Sequence, residues 1–134
     1  MYIGIWDVTY VYSHPCQWEL TAEEVGPAVA DLAAALEQQP MRDAAVSDIE
    51  VGGFAGKLVR LSVPDDVDFA NCDQGEFRSW VGRWHQGPGQ RDVYIWAVNG
   101  SRVVVDVAYY PDLPQADLDE LESIVQSLRI TSPG

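Results

Sequence analysis

Asn99-Gly100, flanked by Asp92–Val98 and Ser101–Tyr109, is the segment that most narrows the folds open to this chain. Asn-Gly readily adopts positive φ at both central positions of a tight turn, the geometry that joins two antiparallel strands through two residues. A two-residue turn fixes the register. Trp96 is then expected opposite Val103, Ile95 opposite Val104 and Tyr94 opposite Val105. Side chains along a strand alternate between faces, and here both faces are apolar. A sheet built on this hairpin needs cover on both sides.

The remaining segments fill in the same class. Ile5 to Tyr12 reads as a strand that His14-Pro15 ends, because proline cannot donate to a ladder. Asp48 to Val63 reads as a second hairpin turning at Gly52-Gly53, with Val59, Leu61 and Val63 on one face and Leu58, Arg60 and Ser62 on the other. Glu76 to Trp84 reads as a further strand, interrupted by the turn-forming run His85-Gln86-Gly87-Pro88-Gly89-Gln90. Val25, Val29, Leu32, Ala33 and Leu36 fall on one helical face, which predicts a helix over 27–39 with Pro27 at its first position and Pro40 beyond its end. A separate turn is expected at 21–25, where Thr21 and Glu24 match a capping box and Leu20 and Val25 a hydrophobic staple. The last helix is expected over Gln115–Leu128, with a stripe of Leu118, Leu121, Ile124, Val125 and Leu128 and acids crowded near its N-terminus.

These elements define an α+β fold: a mostly antiparallel β-sheet with helices packed on it. A length of 134 residues predicts one domain, placed at 5–131 with a tail at 132–134. Met1-Tyr2-Ile3-Gly4 reads as the cut edge of a domain taken from a longer secreted or membrane-anchored protein.

The charge balance limits the partners. With 21 acids against 8 bases the net charge is −13. Such a chain is repelled by nucleic-acid phosphates and anionic lipid and attracts cations. No apolar run approaches the ~18 residues of a membrane span. The expectation is no nucleic acid, no direct membrane insertion by this segment, and a protein, peptide or carbohydrate as partner.

Cys16 and Cys72 are the only cysteines, and they lack the Cys-x-x-Cys spacing of metal knuckles and redox sites. Paired, they would close a long loop, contribute on the order of 4 kcal/mol and imply an oxidising compartment. Two free buried thiols are the plainer alternative. His14, Cys16, Cys72 and His85 also hold the atoms for a tetrahedral zinc centre, although their spacing follows no zinc motif. A Cys16 nucleophile with His14 or His85 as base would need a depressed thiol pKa, which acidic surroundings oppose. No catalytic residue, metal or cofactor is assigned.

The candidate ligand surface is Trp80, Arg83, Trp84, His85, Gln86, Gln90 and Arg91, which gather aromatic rings, bases and amides in an otherwise acidic chain. An apolar body with a few placed polar groups suits a peptide or carbohydrate. The competing reading makes the tryptophans core and pairs the arginines with nearby acids. Asp65, Asp66 and Asp68 lack the glycine of an EF-hand, Ala70 standing at its position, and read as a solvated loop.

Several stretches together resemble an actinobacterial extracytoplasmic domain of uncharacterised function. They are Trp6-Asp7-Val8, Cys16-Gln17-Trp18, Val25-Gly26-Pro27, and Gly56-Lys57-Leu58-Val59 leading into Leu61-Ser62-Val63-Pro64-Asp65-Asp66. Cys72-Asp73, Gly75-Glu76-Phe77-Arg78-Ser79-Trp80 and His85–Gln90 add to the match. Ile124-Val125-Gln126-Ser127-Leu128-Arg129 is similar to the closing helix of PsbP-like domains, including LpqN-type mycobacterial lipoproteins. The resemblance covers about 6–130 and implies an α/β/α sandwich on an extracytoplasmic module of a larger protein. It carries no catalytic residue, and the cysteine positions match, which supports their pairing. Ala28 stands where a helix-capping Thr is more typical. Three functions follow as expectations: a non-catalytic recognition or accessory module, a zinc or thiol enzyme using His14, Cys16, Cys72 and His85, or a structural spacer without a ligand.

Overall fold

The computed structural model describes residues 2–40, 42–51, 53–63, 68–85, 89–98, 100–109 and 114–126. In chain order the elements are β1 (Tyr2–Trp6), β2 (Tyr10–Tyr12), β3 (Ala22–Glu24), α1 (Val29–Glu37), β4 (Ala44–Val51), β5 (Phe54–Val63), β6 (Phe77–Trp80), β7 (Arg83–His85), β8 (Gly89–Val98), β9 (Ser101–Tyr109) and α2 (Gln115–Gln126). Strands pair antiparallel in two sheets, β1-β9-β8-β5-β4 and β3-β2-β6-β7. The fold is α+β with a mostly antiparallel sheet.

Both tight hairpins form as the turns dictate. Trp96 pairs with Val103, Ile95 with Val104 and Tyr94 with Val105. Val51 pairs with Phe54 across the Gly-Gly turn, and that ladder runs back to Ala44, four residues beyond the expected start. Gly56 is fixed by β8: a Cβ there would lie 2.2 Å from the Ile95 carbonyl oxygen and 2.7 Å from Trp96 Cβ.

Three segments depart from expectation. Ile5–Tyr12 is not one strand. The chain leaves the large sheet after Trp6 and enters the small one at Tyr10, and Val8 is buried in the crossing. Alternation alone does not reveal such a break, because both halves alternate. The strand also begins at Tyr2, so residues 2–4 belong to the large sheet through β9. Glu76–Trp84 is a hairpin, turned at Val81-Gly82 with Gly82 at φ 95°. Residues 22–24 form β3 rather than a turn, held by pairing with β2, and Leu20 is 97% exposed instead of stapling a helix.

Helix α1 begins two residues later than expected, with Ala28 as N-cap, so Pro27 lies before the cap rather than at the first helical position. Ala28 has the extended backbone of a cap (φ −75°, ψ 153°) but no side-chain acceptor. Only the reciprocal contact forms, the Ala28 N–H donating to Asp31 Oδ2 at 3.1 Å. Ala28→Thr is expected to stabilise the protein by about 1 kcal/mol. Urea unfolding checks this, and an unchanged midpoint would show that the cap is already satisfied.

The first core lies on one face of the large sheet. Val59, Leu61, Val93, Ile95 and Val104 meet Leu32, Ala33 and Leu36 of α1, together with Val11 and Trp80 of the small sheet. Trp6 and Trp80 meet edge to face with ring centroids 5.8 Å apart. Burial of this apolar surface, at ~25 cal/mol per Å², favours the joining of the two sheets. The opposite face is buried as well, by a second cluster of Leu58, Tyr94, Trp96, Val98, Val105 and Val107. The hairpin is thus covered on both sides. Helix α2 runs close to its expected span; the side chains of Leu118, Leu121 and Val125, and Leu128 itself, lie outside the described residues.

Candidate functional site

Cys16 and Cys72 form a disulfide with Cα atoms 4.4 Å apart. Both are buried against Phe77 and Phe69. The bond is one of several ties between the 14–18 loop and the 72–78 segment. The Asp73 N–H donates to Cys16 O (2.9 Å), and the Arg78 N–H to Pro15 O (2.9 Å). Trp18 Nε1 lies 3.1 Å from both Asp73 O and Glu76 O, and the Arg78 guanidinium lies 3.8 Å over the Trp18 ring. With the sulfurs bonded to each other, neither is a thiolate able to bind zinc or attack a substrate. His14 Nδ1 accepts from the Gln17 N–H at 3.1 Å; the His85 side chain lies outside the described residues. The bond is compatible with an oxidising, extracytoplasmic location.

The residues expected to form a ligand surface divide between two sheets. Trp80 is 1% exposed and belongs to the core. Arg91 is 5% exposed, on the central strand β8, and pairs with Asp106, which is fully buried. Both are therefore packing residues and cannot present a surface to a ligand. Gln90 is half-buried on β8, opposite Ser62 and Tyr109. Arg83, Trp84 and His85 form β7 at the edge of the small sheet. Their side chains, and Gln86 entirely, lie outside the described residues. Of the loop acids, Asp68 caps a short turn, accepting from the Ala70 N–H at 3.1 Å, whereas Asp65 and Asp66 lie outside the described residues.

A polar clasp joins the sheets where Arg91 sits. Gln39, 3% exposed, donates to Tyr12 O (2.9 Å) and Ser79 O (2.7 Å) of the small sheet. Arg42 donates to Gln39 Oε1 (2.9 Å), Ser79 Oγ (2.7 Å) and, on the large sheet, Ser62 O (3.0 Å). Burial pushes the Arg42 guanidinium down to about 9, with repulsion from Arg91 adding to the shift and attraction to Asp106 opposing it. Asp106 is thus the negative charge that offsets two interior guanidiniums.

Open concave surface is found elsewhere among the described residues, around the Glu24-Val25-Gly26 connection between β3 and α1. On one side is a cleft of about 710 Å³ lined by Asp7, Val8, Thr9, Pro27, Ser101 and Arg102 among others. On the other is a cleft of about 460 Å³ between β3 and α1. Val11, Val25, Ala34 and Ala35 give this second cleft apolar lining, while Glu23, Glu24 and Asp31 supply carboxylates. Among the described residues lining either cleft, Arg102 is the one cation. Its guanidinium donates to the carbonyls of Val8, Gly26 and Ala28. Burial lowers its pKa, against the pull of Asp31 and Asp7. Arg102 therefore holds the cleft wall together. A Cβ at Gly26 would come 2.4 Å from Asp31 Oδ2, so a side chain there would push Asp31 away from the Ala28 N–H it accepts from. Such a site can hold a cation against carboxylates with an apolar stem beneath it. It is assembled from 7–13, 23–38 and 100–102, so no local motif marks it.

Among the described residues, no group of three His, Cys, Asp or Glu is placed to hold a metal, and no helix is long and apolar enough to cross a membrane. The sequence matches no protein-family model and no curated protein.

Proposed function

We propose that this chain is a non-catalytic extracytoplasmic recognition or accessory module that binds a lysine- or arginine-bearing segment of a protein or peptide. The observation that carries the reading is the pair of clefts sharing the Glu24–Gly26 wall, with carboxylates at Asp7, Glu23, Glu24 and Asp31. A lysine stem would lie along apolar lining while its ammonium stays at the acidic rim. A net charge of −13 would speed the encounter with a cationic partner. The buried disulfide supports the extracytoplasmic setting. The antiparallel sheet, the bridge and a helix at 115–126 support membership of the PsbP-like group.

Calorimetric titration with a lysine-containing peptide at low salt tests the function. Glu23→Lys with Glu24→Lys is expected to weaken binding about tenfold, or ~1.4 kcal/mol. Asp117→Lys with Glu120→Lys alters net charge equally on exposed positions of α2 and is expected to cost far less. Equal losses in the two double variants would reduce the effect to overall charge and contradict a site at the clefts.

A further inference from the structure

Of the four strands at sheet edges among the described residues, three carry charge. β4 has Asp48 and Glu50, β3 has Glu23 and Glu24, and β7 has Arg83. Charge on an edge strand discourages pairing with another chain. β1, Tyr-Ile-Gly-Ile-Trp, carries none, in a protein with 21 acids. Ile3 and Ile5 are 38% and 72% exposed. They lie opposite Val107 and Val105 in the β1–β9 ladder, residues that are themselves 2% and 1% exposed. The apolar face of the large sheet therefore continues onto its edge strand, where it meets solvent.

We infer that β1 is a self-association edge, at which a second copy of this chain adds its own β1 antiparallel across a two-fold axis through Gly4. What selects a second copy is the symmetry of the strand. About Gly4, Ile3 falls opposite the partner's Ile5 and Ile5 opposite the partner's Ile3, on one face. Such an isologous contact uses one patch twice and closes after two subunits. It joins two five-stranded sheets into one and gives each exposed isoleucine an apolar cross-strand neighbour. The like charge of the two copies opposes association, so the dimer is weak at low salt and tightens as salt screens the repulsion.

Sedimentation velocity over a broad concentration range, at low and high salt, tests this. The expected result is a concentration-dependent monomer–dimer equilibrium that shifts toward dimer in high salt. Ile5→Lys is expected to raise the dimer dissociation constant at least about tenfold without changing circular dichroism or melting temperature, since Ile5 is exposed. Ser47→Lys, on the opposite edge strand, is expected to leave the equilibrium unchanged. A wild-type protein that stays monomeric under all conditions would overturn the inference. So would a dimer that Ile5→Lys leaves intact while Ser47→Lys disrupts it.

Discussion

Asp106→Ala is expected to destabilise the protein by about 3–5 kcal/mol, the cost of leaving a buried charge without its partner. Asp106 is fully buried and pairs with Arg91, which is 5% exposed. Its removal also deprives Arg42 of the nearby negative charge that opposes the lowering of its pKa. Interior guanidiniums stay charged at neutral pH, so the loss cannot be escaped by deprotonation. Replacing both partners, Arg91→Met with Asp106→Leu, is expected to recover much of the stability, because both the pair and its desolvation cost disappear together. Urea denaturation of the two variants distinguishes the contributions. A loss below about 1 kcal/mol for Asp106→Ala would mean the pair behaves as a solvated surface contact.

Removing the disulfide has an effect of similar size through a different cause. Cys16 and Cys72 are 56 residues apart. By the chain-entropy argument, opening a loop of that length costs on the order of 4 kcal/mol, chiefly by freeing the unfolded chain. Cys16→Ser with Cys72→Ser adds two hydroxyls to a buried cluster with Phe69 and Phe77, whereas Cys16→Ala with Cys72→Ala isolates the crosslink. The alanine pair is expected to unfold at clearly lower urea, and reductant should then have no further effect. An unchanged midpoint would contradict the chain-entropy argument, because the ties from Trp18, Asp73 and Arg78 are lost on unfolding and cannot restrain the unfolded chain.

What was legible in the sequence follows from how local its causes are. The Asn99-Gly100 hairpin forms in its expected register because two residues determine the pairing of all the others. Gly52-Gly53 does the same for β4 and β5. The body of α1 was visible in its apolar spacing. Its start was not, because Pro27 is compatible with positions on either side of the cap. The proposed Trp80–Arg91 surface failed at Trp80 and Arg91 because closeness in sequence does not say which sheet a strand joins. β6 and β7 lie in the small sheet and β8 in the centre of the large one. A sharper signal was present for Arg91. The hairpin register sets Val93 opposite Asp106, which brings Arg91 and Asp106 onto one face as diagonal neighbours. Two opposite charges among Val93, Ile95 and Val104 mark a buried pair rather than a surface. The clefts had no comparable signal, because Asp7, Glu24 and Arg102 are brought together only when β1 pairs with β9 and β3 with β2.

The measurement that bears most directly on a cation-binding role is chemical-shift mapping of the ¹⁵N-labelled protein as the lysine peptide is added. Perturbations confined to Asp7–Thr9, Glu23–Gly26, Asp31 and Ser101–Arg102 would place the ligand in the acidic clefts, as expected. Perturbations centred on Arg83–His85, with the cleft residues silent, would contradict that role for the clefts and return the contact surface to the edge of the small sheet.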